Sequence, residues 1–360
     1  MVRGMNRQAP TLEDVAREAG VSRATVSRVI NGVRNVDPSI QDLVRRAIER
    51  TGYTPNRAAR SLVTRRSGTV ALVVSGAGDS SADGVPAGGV SAQDQNAFTA
   101  RVFADPFFGR VVSGVIGHLR PRCMHPVLMF AESAEARAEV LSYLRQGSAD
   151  GALVVSTHPE DPLPALLAAE GLPAVLFARP ARPVALSYVD LDHRDGGRQA
   201  ADHLLARGCR RIVTVAGPLD VRASQNRLDG FRDAMARQGR PYVPIAEGGF
   251  TLASGMSAMA GLLAEHPDLD GVFAANDLMA QGVCQMLREH GRRIPEDVAV
   301  VGFDDSTIAV TCSPQLTTVR QPVEDMAAEM ARLLEEHIRG VRTEPTSVVF
   351  DPELIVRDSA

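Results

Sequence analysis

Thr11-Leu12-Glu13-Asp14-Val15-Ala16-Arg17-Glu18-Ala19-Gly20-Val21-Ser22-Arg23-Ala24-Thr25-Val26-Ser27-Arg28-Val29-Ile30-Asn31 decides how the N-terminal part of the chain folds. Thr11 can cap free N–H groups, with Asp14 three residues on as the reciprocal partner, so a helix opens here. Leu12, Val15, Ala16 and Ala19 follow at helical spacing. Gly20 ends the helix because it tolerates the left-handed conformation. Ser22 caps a second helix through Thr25, Val26, Val29 and Ile30, which Asn31-Gly32 stops. Asp37-Pro38 opens a third helix, with Pro38 at its first position. Ile40, Val44, Ala47 and Ile48 line its apolar face, and Gly52 closes it. Two short helices joined by a tight turn, covered by a third, read as a helix-turn-helix unit. A small core of Leu12, Val15, Ala16, Val21, Val26, Val29 and Ile48 leaves Arg23, Ala24, Ser27 and Arg28 outward. Such a helix is narrow enough to enter a DNA major groove, where arginine grips guanine with two hydrogen bonds. The plainer alternative is a three-helix bundle with a solvated arginine face.

Charge separates the two readings. The net charge is -4 over 360 residues, but residues 1–66 carry 13 Arg against 6 Asp and Glu, a net of +7. The remainder carries 26 Arg against 37 acids, a net of -11. A basic segment on an acidic body implies an anionic partner for the first part only. All 39 basic residues are arginine, which reads as genome base composition rather than mechanism, although arginine does suit phosphate and guanine. The length points to two or three domains, and 44% hydrophobic with 23% charged residues is ordinary for a soluble globular chain. No run approaches the ~18 apolar residues of a membrane span, and Met1–Asn6 contains no apolar segment of a secretory signal. Cys123, Cys209, Cys284 and Cys312 stand too far apart for a disulfide framework or a zinc site, so reduced, buried cysteines in a cytoplasmic protein are expected.

The pattern Thr11-Leu12-x-Asp14-Val15-Ala16-x-x-Ala19-Gly20-Val21-Ser22-x-x-Thr25-Val26-Ser27-Arg28-Val29-Ile30-Asn31 resembles the N-terminal signature of the lactose/galactose repressor (LacI/GalR) family. The match continues through Gly52-Tyr53-x-Pro55-Asn56-x-x-Ala59-Arg60-x-Leu62. The resemblance implies that residues 1–66 bind double-stranded DNA. Arg23, Ala24 and Arg28 would read base edges, and Ala24 can offer only an apolar contact. Thr11, Ser22, Thr25, Ser27 and Asn31 would position the unit on phosphates. It also implies a hinge helix at about 56–64, where Asn56, Ala59 and Leu62 meet the minor groove and Leu62 wedges open a base step.

From Thr69 onward the pattern alternates. Apolar, β-rich runs at Thr69–Ser75, Val127–Phe130, Gly151–Val155, Ala174–Phe177, Arg211–Val215, Gly271–Ala274 and Val298–Phe303 predict strands. Helical stretches such as Asp195–Ala206, Arg227–Arg237, Asp277–His290 and Pro322–Arg339 lie between them. This repetition reads as parallel sheets covered on both faces. The resemblance divides residues 67–360 into a periplasmic-binding-protein-like α/β body of two doubly wound parallel-sheet subdomains. They would span about 68–190 with 322–348, and about 191–321 with 349–360. The chain would cross near Asp190–Asp192, Leu316–Gln321 and Val348–Pro352. Asp105-Pro106-Phe107-Phe108, Asp192-x-x-x-Gly196, Arg227-Leu228-x-Gly230-Phe231, Ala275-Asn276-Asp277, Gly302-Phe303-Asp304-Asp305 and Leu316-Thr317-Thr318-Val319-Arg320-Gln321-Pro322 carry the match through this body.

By position, Arg227, Asn276 and Asp304 match residues that hydrogen-bond a small-molecule effector in the cleft. Phe108 and Phe250 match its aromatic walls, with Phe107 assisting, and a ring face suits a sugar's C–H face or a base. The chain departs from the family where His193 replaces the usual Asn. It also departs at residues 76–100, where Gly, Ala, Ser and Asp make up 17 of 25 positions and too little apolar surface remains to order the segment. No heptad tail follows, so a homodimer on a palindromic operator is expected. The implied whole is a cytoplasmic, nucleoid-associated repressor without catalytic residues, metal or cofactor, and without a membrane partner. A periplasmic-type solute-binding protein is one alternative, disfavoured by the basic N-terminal unit. A purine- or nucleoside-responsive regulator is another. An enzyme is disfavoured because the chain has no phosphate-binding Gly-Lys-Ser/Thr loop, nucleophile elbow or His-Glu-x-x-His site. Leu62→Ala is expected to lose affinity for bent operator while weak nonspecific binding remains; equal DNA bending by variant and parent counts against the wedge.

Overall fold

The computed structural model describes residues 10–30, 36–53, 66–76, 98–100, 102–156, 158 and 160–360. Asn31, the hinge positions Asn56, Ala59 and Leu62, and residues 77–97 of the glycine- and alanine-rich segment lie outside the described residues. The chain divides into two units, Met1–Ser67 and Gly68–Ala360.

The first unit contains α1 (Leu12–Ala19), α2 (Arg23–Ile30) and α3 (Pro38–Thr51). The capping box forms: Thr11 N–H donates to Asp14 Oδ2 at 2.9 Å, and Asp14 N–H donates to Thr11 Oγ1 at 3.3 Å. Gly20 ends α1 at φ 65°, a conformation that costs other residues a clash at Cβ. Asp37 caps α3 by accepting the Ser39 N–H at 2.8 Å. Val15, Ala16, Val26, Val44, Ala47 and Tyr53 form the buried centre, with Leu12, Val21, Val29 and Ile48 packed around it. Burying α2 through Val26 fixes which of its faces stays outward.

The second unit holds, in chain order, β1 (Thr69–Ser75), α4 (Pro106–Leu119), β2 (His125–Ala131), α5 (Ala134–Arg145), β3 (Ala152–Ser156), α6 (Leu163–Ala169), β4 (Ala174–Phe177) and β5 (Ser187–Leu191). It continues with α7 (His193–Ala206), β6 (Ile212–Ala216), α8 (Arg222–Arg237), β7 (Ile245–Glu247), α9 (Leu252–Glu265), β8 (Gly271–Ala274) and α10 (Asp277–Glu289). β9 (Ala299–Asp304), α11 (Thr307–Thr311), β10 (Thr317–Arg320), α12 (Val323–Ile338), β11 (Ser347–Phe350) and β12 (Glu353–Ile355) complete it.

Two six-stranded sheets result. The first has the order β11-β5-β4-β3-β1-β2, with every neighbouring pair parallel. The second has β12-β10-β9-β8-β6-β7, parallel except for the β10–β12 pair at one edge. Both are doubly wound, and in each the order reverses beside the first strand, between β1 and β3 and between β6 and β8. In such sheets ligands bind beyond the carboxyl ends of the strands at that reversal. The chain passes between the sheets after β5, after β10 and after β11, so three short segments join the two lobes. The inner strands are apolar nearly throughout, as strands covered on both faces must be; β1 buries six of its seven residues. All seven predicted strands form. β5, β7, β10, β11 and β12 were not anticipated, because polar residues interrupt or bound their apolar positions, as in Ser187-Tyr188-Val189-Asp190-Leu191.

Helices α7 and α8 approach unusually closely, and two glycines permit it. A Cβ at Gly230 would overlap the Arg194 carbonyl, and one at Gly197 would overlap the Arg227 carbonyl. This contact brings the first turn of α7 against the first half of α8. Gly230→Ala is expected to lower stability by roughly 1–3 kcal/mol through overpacking, read as a reduced midpoint in urea unfolding; an unchanged midpoint means that the two helices can part freely.

Candidate groove-reading face and effector cleft

On α2, Ser22, Arg23, Ala24 and Arg28 are exposed, Thr25 and Ser27 are half-buried, and Val26 points into the core. At 3.6 residues per turn, Arg23, Ala24, Ser27 and Arg28 share one face. Ser22 Oγ accepts the Thr25 N–H at 3.1 Å and lies 2.9 Å from Thr25 Oγ1, so two hydroxyls cluster at the start of the helix. Thr11 Oγ1 donates to Asp14. Arg23 pairs with Glu13 at 3.0 Å, with 72% and 53% of the two side chains exposed. An exposed pair of this kind contributes at most about 1 kcal/mol, so a base edge or phosphate can displace Glu13.

In the second unit, Asp105, Pro106, Phe107, Arg110, Asn276, Leu278, Asp304 and Ser306 enclose a space of ≈ 10 Å³ between the lobes. That is room for about one water molecule. Asp105 caps α4, accepting the Phe107 N–H at 2.9 Å; its burial raises its pKa above the usual carboxylate value. Arg110, one turn further along α4, links the lobes. Its Nη1 donates to the Asp304 carbonyl at 2.8 Å and its Nη2 to the Gln321 carbonyl at 3.0 Å. Nε and Nη2 also grip both carboxylate oxygens of Glu324 at 2.8 Å. Further along the lobe boundary, Arg222 reaches the Pro180 and Ala181 carbonyls, and His158 stands 3.5 Å from Asp220.

Asp304 ends β9 at a positive φ of 112°. Burial pushes its pKa well above the ordinary range, with Asp277 and Asp105 adding to the rise and Arg227 opposing it. Directly behind it lies Arg227, only 6% exposed. The Arg227 Nη1 is 3.7 Å from Asp304 Oδ1 and donates to the Ala275 carbonyl at 2.5 Å. Its Nη2 donates to Gln321 Oε1 at 3.1 Å and its Nε to His193 Nδ1 at 3.2 Å. The guanidinium carbon stands 3.7 Å from the centre of the Phe303 ring, a cation–π placement. Asp277 is buried as well, and burial raises its pKa above the usual carboxylate value although Ser306 and Thr318 donate to it.

The six residues expected to contact an effector divide as follows. Phe107, Asn276 and Asp304 line the cleft space. Arg227 sits one layer behind Asp304. Asn276 already has local partners: its Oδ1 accepts the Met279 N–H at 2.9 Å as the cap of α10, and its Nδ2 donates to the Phe250 carbonyl at 3.1 Å. Phe250 therefore meets the site through its backbone, while its ring packs against the second lobe's core. Phe108 turns toward a separate apolar space with Leu72, Val74, Val111 and Val155. Sequence reasoning missed Asp105, Arg110, Ser306 and Gln321. Asp105 and Arg110 flank the quoted Phe107-Phe108 pair, and Gln321 lies in a quoted motif, so the signal was present in the chain. Among the described residues, no group of three His, Cys, Asp or Glu could hold a metal ion, and no helix is long and apolar enough to cross a membrane.

Residues 11–56 match the family model "Bacterial regulatory proteins, lacI family", and residues 201–360 match "Periplasmic binding protein-like domain". The chain is 46% identical to the HTH-type transcriptional regulator CelR of Thermobifida fusca over 357 residues, covering 98% of this chain and 99% of that protein. A solved CelR–cellobiose complex is 44% identical, covers 98% of this chain and 100% of its own, and superposes with a TM-score of 0.72. A Lac repressor dimer bound to operator and an anti-inducer is 25% identical, with coverage of 98% and 99% and a TM-score of 0.79. Arg28→Ala is expected to cost roughly 1–3 kcal/mol of operator affinity and to relax base preference; a binding-site selection that returns the parent's sequence preference removes Arg28 from the readers.

Proposed function

This chain belongs to the lacI family of bacterial regulatory proteins, and from that premise we propose that it is a repressor whose effector is cellobiose or a closely similar disaccharide. It is a DNA-binding transcriptional regulator controlled by a small molecule, not an enzyme. The observation that carries the choice of effector is its 44% identity, over 98% of its length, to a regulator solved with cellobiose.

The chemistry of the cleft agrees with a neutral polyol. Asp105 and Asp304 line the space, Asp277 lies behind them, and the nearby cations Arg110 and Arg227 are already held by protein partners. An anionic ligand such as a sugar phosphate would meet these carboxylates, while the two nearby arginines already hold protein partners. Hydroxyl groups can donate to Asp304 and Asp105 and accept from neighbouring N–H groups, and the Phe107 ring can face pyranose C–H bonds. Small-molecule pockets hold about 300 Å³ or more, so the lobes must separate around the joining segments to admit a disaccharide. In this reading residues 1–66 bind operator, with Arg23, Ala24 and Arg28 on bases, and residues 67–360 bind effector and dimerise. A dimer presents two such units to a palindromic site in the cytoplasm, on nucleoid DNA. Effector and operator binding are then reciprocally coupled, and the sugar releases the operator.

The test uses the full-length protein and duplexes selected from a random pool. Operator affinity is expected to fall by orders of magnitude between low and moderate salt, and again on adding cellobiose. Cellobiose at 100 times its dissociation constant should stabilise the protein by about 2.7 kcal/mol, visible as a thermal shift that glucose 6-phosphate does not reproduce. Operator affinity indifferent to every disaccharide overturns the assignment. Asp304→Ala is expected to remove the cellobiose response, so that operator stays bound in its presence in a reporter assay; a normal response excludes Asp304 from the site.

A further inference from the structure

His193 stands where the family pattern has Asn, and the groove-reading and effector assignments leave it without a role. It is the first residue of α7, directly after the chain leaves β5, and is only 4% exposed. Its Nδ1 accepts the Arg227 Nε–H at 3.2 Å, and its Nε2 is 3.6 Å from Asp190 Oδ1. The ring also lies against Phe303, with centroids 5.9 Å apart and planes tilted by 37°. Arg227 rests on that same phenyl ring. The close approach of α7 and α8, allowed by Gly197 and Gly230, is what places these two side chains within reach.

We propose that His193 is a positioning residue for effector recognition: its Nδ1 holds the Arg227 Nε–H, its Nε2–H turns toward Asp190, and the guanidinium is thereby kept flat on Phe303 beside Asp304. The proposal rests on the reading of this cleft as the sugar site. A guanidinium has five N–H donors and no acceptor. His193 takes the one on Nε, Ala275 takes one on Nη1 and Gln321 takes one on Nη2. One N–H remains on each outer nitrogen, and Nη1 is the nitrogen nearest Asp304. Without an acceptor at Nδ1, the buried Nε–H loses its partner and the plane of the guanidinium is free to rotate off the ring. The arrangement needs a neutral imidazole, since an imidazolium offers no lone pair and would stand against Arg227. Burial and the Arg227 charge together hold this histidine well below its ordinary pKa. The tautomer follows: Nδ1 bare and Nε2 protonated, with Asp190 as the only carboxylate the described residues place at Nε2.

The experiment has two arms on the full-length protein. In the first, histidine-15N NMR of the unliganded protein reads the tautomer of His193, assigned by its loss in His193→Phe. A bare Nδ1 and protonated Nε2 at pH 7 are expected, and the Arg227 Nε–H resonance should shift or exchange faster in His193→Phe. The opposite tautomer, an imidazolium, or an unmoved Arg227 resonance overturns the proposal. In the second, calorimetric titration with cellobiose compares the parent, His193→Phe and His193→Asn. His193→Phe should bind cellobiose about tenfold more weakly or worse. His193→Asn should recover most of that loss, because an amide oxygen can replace Nδ1 as acceptor. Equal affinity in parent and His193→Phe overturns the positioning role, as does an equal loss in both variants. If the parent itself binds no cellobiose, the choice of sugar fails, while the NMR arm still decides whether His193 holds Arg227.

Discussion

A guanidinium in a protein interior has to be surrounded by acceptors, because stripping its hydration without replacement costs several kcal/mol. The effector-binding body meets that requirement at Arg227 with partners from four different places. They are the first residue of α7, the carbonyl after β8, the segment joining β10 to α12, and the end of β9. Each lies at a strand end or at a passage between the sheets. Ala275 and Asp304 lie at strand ends of the sheet that α8 packs on, whereas His193 and Gln321 sit beside passages between the sheets, so a movement of the lobes is felt first at those two. Close-packed interiors respond to such a demand by choosing between discrete arrangements rather than by deforming gradually.

Gln321 is where this requirement meets the lobe boundary. Its side chain accepts from Arg227 and its backbone carbonyl accepts from Arg110. Arg110 reaches across from α4 to the Asp304 carbonyl and closes a two-point bond to Glu324 at the start of α12. Two arginines thus hold the second passage from opposite sides, and both touch Asp304, one at its backbone and one at its side chain. On the proposed function, an effector hydroxyl enters between Phe107 and Asp304 and competes inside this network. That is the physical basis for treating effector binding and lobe geometry as one equilibrium, since a ligand shifts a population only by its differential affinity for the two states.

The N-terminal unit and most of the inner strands were legible in the sequence because their signals are local. Thr11 with Asp14, Gly20, and Asp37 with Pro38 state their helix boundaries within a few residues of the boundary itself. Long apolar runs such as Thr69–Ser75 mark strands buried on both faces. The edge strands β7, β11 and β12 were not legible because three or four residues of mixed polarity carry no period, and the inner strands β5 and β10 were missed because Ser187, Asp190, Thr317 and Thr318 break their apolar runs. Within the site, Phe107 and Phe108 show the limit. Adjacent residues on a helix point about 100° apart, so the motif that contains both cannot say which ring faces the cleft until α4 is docked. Asn276 shows a different limit: Asn before a helix is a favoured cap, and its amide is used locally at Met279 and Phe250. His193 and Arg227 are 34 residues apart, and only the topology, with two glycines at the α7–α8 crossing, brings them together.

The two units also differ in what can regulate them. The Arg23–Glu13 pair on the proposed groove-reading face is exposed, worth little, and sensitive to salt. The core of that unit is apolar and holds no buried charge among its described members. The cleft offers the opposite case, with Asp304 and Asp277 shifted upward and two arginines each hydrogen-bonded to several protein acceptors. Because its groups share partners, a change at one is felt at the others. On the function proposed above, selective control of DNA binding therefore originates in the second unit.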